Sequence, residues 1–194
     1  PGVQRLLPAH DKTRALLALG SVCYKPFFAS GASSVSPLFH ILDTFGGTLV
    51  LDEADFRFSD ATGDLVKILN NGTTPGMPVL RTIVNRDKEF NPKAFKVFGP
   101  KIIAMRGEYS DEALESRFIS EPMGMRRFRN DISIALPETL EQEALELRNR
   151  LLDYRAHNLV RLRAQQRAIV EGLEPRVAQM ASPLLTLIAD PNLR

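Results

Sequence analysis

Apolar runs of strand length alternate with amphipathic segments of helix length through the first two thirds of the chain. Strands are predicted at 23–29, 48–51, 79–84, 94–98, 101–105 and 118–119, and short helices at 11–20, 36–45, 60–70 and 111–117. Strands that alternate with helices predict a parallel sheet. The strands 79–84 and 94–98 are joined by the polar stretch 85–93, which predicts a β-hairpin with a long, charged tip.

After Pro137 the pattern becomes helical throughout, as far as residue 171. One apolar stripe at 4-3-4-3 spacing comprises Leu140, Ala144, Leu147, Leu151 and Tyr154. Such a stripe is typical of a helix that buries one face. A change of pattern near 155–158 predicts two helices or a kink, and a final helix is predicted at 176–189. We therefore expect an α/β core over 1–137, incomplete at its N-terminus, and a helical lid over 138–194.

Composition sets broad limits on the class of protein. The 194 residues include 25 Lys and Arg against 23 Asp and Glu, so the net charge is only +2. This balance neither requires nor excludes a nucleic-acid partner, because a basic patch can be local. The single cysteine, Cys23, suits a reducing compartment. The apolar runs are shorter than a membrane span. We expect a cytoplasmic protein with no membrane partner.

The acids at the end of one apolar strand are the first candidate for chemistry. In "GTLVLDEADF" (47–56), the run Leu49–Leu51 is followed by Asp52, Glu53 and Asp55. This is the Walker B pattern, in which the first acid holds Mg²⁺ and the second orients or deprotonates the attacking water. A parallel strand places both acids at the carboxyl edge of the sheet, where open α/β folds bind ligands. The alternative is an acidic loop after a core strand.

A Walker B strand needs a phosphate loop, G-x-x-x-x-G-K-[ST], as its partner. Lys12 and Thr13 match the last two positions, just inside a predicted helix. The two glycine positions hold Leu6 and Asp11 instead. The Asp11 carboxylate and its Cβ stand where backbone N–H groups should approach phosphate. The alternative for Lys12 and Thr13 is an ordinary helix start.

Several basic residues further along the chain have functional and ordinary interpretations. Arg117 is a candidate arginine finger for the γ-phosphate of a neighbouring subunit, or a surface charge. Arg176 opens the last helix and is a candidate lid residue that senses nucleotide, or a solvated side chain. Arg86 and Lys88 in the hairpin tip are candidates for contact with the phosphate backbone of DNA, or part of a solvated loop.

The order of these segments resembles a family of AAA+-like P-loop ATPases that often accompany primase or helicase modules in bacteria, archaea and mobile elements. The phrases that carry the resemblance are "FASGASSVSPLFHILDTFGGTLVLDEADFRFSD", "VKILNNG" and "FGPKIIAMRGEYSDEALESRF". The resemblance spans residues 12–188. It implies a parallel-sheet P-loop core with an inserted hairpin and an all-α lid, ATP and Mg²⁺ as cofactors, a homo-oligomeric ring, and DNA as a partner.

Residue by residue, the resemblance implies that Asp52 coordinates Mg²⁺, that Glu53 activates water, and that Lys12 and Thr13 bind nucleotide. It also implies that Arg117 is the arginine finger and Arg176 the lid sensor. The chain departs from the family at the glycine positions, and at 105–106, where Met and Arg replace a polar sensor. We expect a C-terminal piece of an ATPase in which a frameshift, false start or truncation replaced the phosphate loop.

Two other functions fit the same residues. The chain could be a non-catalytic module that keeps the fold and oligomerises or binds DNA, which the missing glycines favour. It could also be a metal-dependent nuclease or phosphatase that uses the acids Asp52, Glu53, Asp55 and Asp60. The scattered histidines and the lack of a second acid cluster argue against the nuclease or phosphatase.

Overall fold

The computed structural model of the chain describes residues 10–30, 34–52, 60–84, 88–105, 112–122, 135–164 and 172–188. The elements in this part of the chain are α1 (His10–Val22), β1 (Pro26–Ser30), α2 (Val35–Phe45), β2 (Thr48–Asp52), α3 (Asp60–Asn71), β3 (Val79–Val84), β4 (Phe90–Phe95), β5 (Lys101–Ile103), α4 (Glu112–Glu115), α5 (Leu140–Ala164) and α6 (Pro175–Leu185).

Three strands form a small parallel sheet in the order β1-β2-β5. The register places Phe28 beside Val50 and Val50 beside Ile102. The strands β3 and β4 form a separate antiparallel hairpin. The protein is therefore mixed α/β, and the prediction of a parallel sheet is confirmed.

Helices cover both faces of the parallel sheet. On one face, Leu49 and Leu51 of β2 join a buried cluster with Phe39 of α2 and Ile68 of α3. On the other face, α1 packs across β1 and β2, and both Leu16 of α1 and Val50 of β2 are buried. Cover on both faces explains why β2 is an unbroken apolar run rather than an alternating one.

Two glycines next to the sheet have different structural roles. Gly46 ends α2 in the left-handed conformation, with φ of 55°, and its N–H donates to the carbonyl of Leu42. Gly20 was predicted to end α1, but the helix continues to Val22. A Cβ on Gly20 would lie 2.6 Å from the ring of Phe28, so this glycine permits close packing of helix on strand rather than a helix stop.

Several predicted boundaries are wrong for identifiable reasons. The first strand begins at Pro26, not at 23, because Cys23 N–H bonds back to Gly20 and prolongs the helical turn. The second hairpin strand begins at Phe90, which pairs with Val84, so the tip is shorter than 85–93. Residues 118–119 do not form a strand. The N–H of Phe118 bonds to the carbonyl of Glu115 in a turn after α4.

Helix α5 is continuous through 155–158, so the predicted break there is wrong. Its Ala144 is buried, and the Arg148 guanidinium donates to the carbonyl of Ser21 in α1 at 2.8 Å. Leu140 is half-buried, but the C-terminal part of the predicted stripe is not covered: Leu147 and Leu151 are 45% and 49% exposed. Among the helices that the structure describes, none combines the length and apolar character needed to cross a membrane.

Candidate nucleotide and metal site

The carboxyl edge of the sheet brings residues from four elements together. Ser30 and Asp52 end β1 and β2 side by side. The N–H of Ala104 donates to the carbonyl of Leu51 at 2.9 Å, so the chain after β5 reaches the same edge. The first turns of helix α1 contact this edge through Lys12 and Thr13. A helix N-terminus directs its positive dipole end and free N–H groups at whatever lies there.

The closest polar contact at this edge joins α1 to β2. Thr13 Oγ1 donates to Asp52 Oδ2 at 2.6 Å. Both side chains are partly buried. In an octahedral Mg²⁺ site, with bonds of 2.0–2.1 Å, adjacent ligand oxygens are about 2.9 Å apart. The 2.6 Å contact between Thr13 Oγ1 and Asp52 Oδ2 is about 0.3 Å shorter than this spacing, so the two oxygens would have to separate slightly to occupy neighbouring positions around one Mg²⁺ ion.

The second contact joins α1 to the end of β5. Lys12 Nζ donates to the main-chain carbonyl of Met105 at 2.7 Å, and the lysine is partly buried. The ammonium group is thus held over the carboxyl edge. Lys12 directly precedes Thr13 in the chain, so both α1 contacts with this edge come from neighbouring residues. In the sequence, Met105 stands where the family resemblance predicts a polar sensor. In the structure, its carbonyl oxygen rather than its side chain makes the contact.

Arg14, the next residue of α1, was not singled out from the sequence. Its Nε is buried and has no hydrogen-bond partner within the part of the chain that the structure describes. An unsatisfied buried donor is costly, on the order of 1–3 kcal/mol. Arg14 follows Lys12 by two positions, a spacing that directs the two side chains to different sides of α1, so the two cations do not form one cluster at the Thr13–Asp52 pair.

Two of the predicted site residues lie outside the described residues. These are Glu53, the proposed water-activating acid, and Arg86 of the hairpin tip. Asp55 lies outside as well, and for Asp60 the backbone alone is described. No group of three or more His, Cys, Asp and Glu with metal-binding geometry occurs among the residues that are described.

The predicted arginines are not brought to the Thr13–Asp52 pair by the contacts of the described residues. Arg117 follows α4, and its Nη1 donates to the carbonyl of Ala113. Arg176 is exposed in the first turn of α6. Helix α6 shares no extended packing with α1, β2 or β5 in the described ranges.

Lys88 is exposed at the start of the return strand of the hairpin and has φ of 60°. Its left-handed backbone is uncommon for lysine. The structure thus places Lys88 two residues before β4, at the exposed end of the hairpin, where the sequence placed it.

Lys101, at the start of β5, is the other residue that the sequence did not reveal. Its ammonium donates to the carbonyls of Val97, Gly99 and Gly72 at 2.9, 2.9 and 3.3 Å. Burial lowers the pKa of Lys101 to about 8. The lysine ties the end of α3 and the 97–99 turn to β5, the strand whose extension carries Met105. A lone lysine before two isoleucines gives no sequence signal for this role.

Searches against protein-family models, curated proteins and solved structures find no match to this chain.

Proposed function

We propose that this protein is the ATPase core of an AAA+-like P-loop protein of the DNA helicase or translocase type. The observation that supports it most is the 2.6 Å contact between Thr13 and Asp52, with Lys12 beside it over the same sheet edge. The Lys-Thr pair and the strand-terminal aspartate are far apart in the chain, and their meeting is what a shared Mg²⁺–nucleotide site requires.

In this proposal each residue has a defined task. Asp52 and Thr13 would hold Mg²⁺, which would supply charge neutralisation at the phosphates of ATP. Lys12 would leave the Met105 carbonyl and pair with the phosphates. Glu53 activates the attacking water, Arg117 acts in a neighbouring subunit of a ring, and Arg176 senses nucleotide from the helical lid. The hairpin residues Arg86 and Lys88 contact DNA.

The phosphate-holding half of the site is incomplete. Leu6 and Asp11 replace the glycines that let main-chain N–H groups surround the phosphates. The affinity for Mg²⁺–ATP is therefore expected in the millimolar range. A ligand at about ten times its dissociation constant still stabilises the folded state by about 1.4 kcal/mol, which thermal unfolding detects.

The test is thermal unfolding in excess ATP with Mg²⁺ or with EDTA. We expect a higher unfolding temperature that depends on Mg²⁺, and we expect Asp52→Asn to remove it. The matched control is Asp153→Asn, the same change of charge at an exposed position of α5. The nucleotide site would be refuted if the unmodified protein showed no Mg²⁺-dependent rise in unfolding temperature. It would also be refuted if Asp52→Asn and Asp153→Asn reduced that rise equally.

A second function is favoured by the same two replacements at positions 6 and 11. A non-catalytic module derived from such an ATPase would bind DNA or oligomerise without nucleotide. Its DNA affinity would fall with salt, because phosphate contacts release counterions, and Lys88→Ala would reduce the salt dependence by about one ion. DNA affinity that is unchanged by ATP and by Asp52→Asn would favour the module over the ATPase.

A further inference from the structure

The hairpin β3–β4 carries its charged side chains on the face that meets the body of the protein. Arg81 Nη2 lies 3.0 Å from Asp64 Oδ2, and the guanidinium lies 4.4 Å from the centre of the Phe39 ring. Lys93 Nζ lies 3.3 Å from Asp43 Oδ2 and 4.6 Å from the centre of the Phe95 ring. These contacts fix which face of the hairpin points outward.

A backbone contact strengthens the same attachment. The N–H of Lys96, just after β4, donates to Asp43 Oδ1 at 3.1 Å. This hydrogen bond is the largest of the effects that lower the pKa of Asp43. Burial opposes it, and the ammonium groups of Lys93 and Lys96 each add a smaller lowering. The hairpin is thus attached to α2 along β4 and to α3 through Arg81, and its outer face is held away from the body.

The outer face is the reverse of what a solvent-facing hairpin normally shows. Alternation along the strands places six residues there, all exposed and none charged: Leu80, Thr82, Val84, Phe90, Pro92 and Ala94. Leu80, Val84 and Phe90 are 72%, 54% and 74% exposed. A contiguous apolar face of this kind marks an interaction site, and natural sheets that face water usually carry charges there.

The absence of charge on this face selects the kind of partner. Binding to nucleic acid depends on Lys and Arg at the phosphates, and binding to an anionic membrane surface depends on the same residues. None of the six positions supplies one. A second apolar protein face is the partner that this chemistry fits.

The register of the hairpin makes the face complementary to itself. Leu80 pairs with Ala94 at one end, Thr82 with Pro92 in the middle, and Val84 with Phe90 at the other end. Consider a two-fold axis parallel to the face and perpendicular to the strands. It places the large Phe90 of one copy over the small Ala94 of the other, Leu80 over Val84, and Thr82 over its own counterpart.

We propose that the outer face of the β3–β4 hairpin is the contact between two copies of this chain, related by a two-fold axis through Thr82. Such a contact closes on itself and gives a dimer, whereas a ring requires a head-to-tail contact, so the two are independent. Six residues are fewer than the 20–30 per side of a standard interface. The dimer is therefore weak, with a dissociation constant on the order of 10 μM.

Sedimentation velocity from about 1 to 100 μM protein tests the dimer. We expect a reversible monomer–dimer equilibrium, and we expect Leu80→Glu and Phe90→Glu each to raise its dissociation constant about tenfold or more. The control is Val160→Glu, which places the same charge at an apolar position of α5 that is 81% exposed. A monomer across the whole range, or equal weakening by the control, would overturn the proposal.

Cross-linking tests the position of the axis. In a Cys23→Ala background, Thr82→Cys should cross-link to its counterpart with a short bismaleimide. Leu80→Cys, on the same face but off the axis, should react about tenfold more slowly. Equal rates would overturn the two-fold geometry. Monomeric protein in which Phe90→Ala weakens binding to single-stranded DNA would assign the face to nucleic acid instead, and the dimer proposal would fail.

Discussion

The hydroxyl of Thr13 donates a 2.6 Å hydrogen bond to the carboxylate of Asp52, although 39 positions separate the two residues in the chain. This one bond connects the first turns of α1 to the end of the central strand β2. The arrangement requires that α1 run back across the sheet with its N-terminus at the carboxyl edge. The contact therefore reports both on the topology and on the proposed metal site.

Removing the Thr13 hydroxyl should destabilise the fold. Thr13→Val keeps the shape of the side chain but leaves the partly buried Asp52 carboxylate with one donor fewer. A hydrogen bond to a charged group contributes about 1.5–3 kcal/mol, so we expect a loss of about 1–2 kcal/mol in urea unfolding. Thr13→Ser retains the donor and serves as the control. Equal stability of the two variants would show that the bond contributes nothing.

Nucleotide binding by the unmodified protein should be weak. Asp11 adds negative charge and a Cβ at a position where the phosphate loop needs glycine, and Leu6 occupies the other glycine position. We expect titration calorimetry in the presence of Mg²⁺ to give a dissociation constant for ATP no lower than about 1 mM. A sub-millimolar affinity would contradict this account of the two positions.

Restoring one glycine should not restore catalysis. Asp11→Gly removes the repulsion, but Leu6 still occupies the other glycine position, so the phosphates lack a complete cradle of N–H groups. We expect no ATP turnover above background in a coupled assay. Measurable turnover by this single variant would show that the remaining loop is already competent.

Lys101 should make stability rise with pH in the alkaline range. Burial lowers its pKa from 10.5 to about 8 in the folded protein. Between these two values the unfolded chain binds the proton and the folded chain does not, so the free energy of unfolding rises with pH. Below about 8 both states are protonated, and the contribution is constant. The slope is at most about 1.4 kcal/mol per pH unit.

The measurement is urea unfolding from pH 7 to 10 for the unmodified protein and for Lys101→Met. We expect the variant to lack the rising component, and the control Lys96→Met, at an exposed position, to keep it. A difference between the unmodified protein and Lys101→Met that stays flat or falls with pH would contradict the assignment.

Two glycines of the α3 region should respond oppositely to alanine. A Cβ on Gly72 would lie 2.5 Å from the carbonyl oxygen of Ile68, and it would also meet the Lys101 ammonium. We expect Gly72→Ala to cost about 1–3 kcal/mol. A Cβ on Gly63, inside α3, meets nothing within 4 Å. Gly63→Ala should gain about 0.5–1 kcal/mol from helix propensity. Thermal unfolding compares the two, and a loss in both would count against a specific clash at Gly72.

The sequence predicted the parts of this fold whose signal is local. The strand β2 was recognisable because burial on both faces requires an unbroken apolar run. The helix end at Gly46 was recognisable because the left-handed conformation favours glycine. The end of α1 was mispredicted at Gly20, since the sequence does not show that Phe28 packs there. Continuity of α5 through 155–158 was missed because a change in apolar pattern reflects what covers a helix as well as where it bends.

The candidate site was predicted in its residue types but not in its contacts. Lys12, Thr13 and Asp52 were each predicted as site residues, but the distances between them could not be predicted. The carbonyl of Met105 and the three carbonyls around Lys101 could not be foreseen, because main-chain acceptors are present at every position. The outward apolar face of the hairpin followed only from the register, which places Arg81 and Lys93 together on the inner side.

The two sheets differ in the sequence separation of their paired residues, and this difference affects the order of folding. In the hairpin, Val84 pairs with Phe90 across a short tip. In the parallel sheet, Leu49 pairs with Lys101, and the whole hairpin lies between them in the sequence. Contacts between distant segments pay a larger loop-closure entropy and form later. The hairpin should therefore gain protection in pulsed hydrogen exchange before β5 does. The Lys12–Met105 contact would then be among the last to form, so that a nascent chain would acquire its hairpin well before it acquired its proposed nucleotide site.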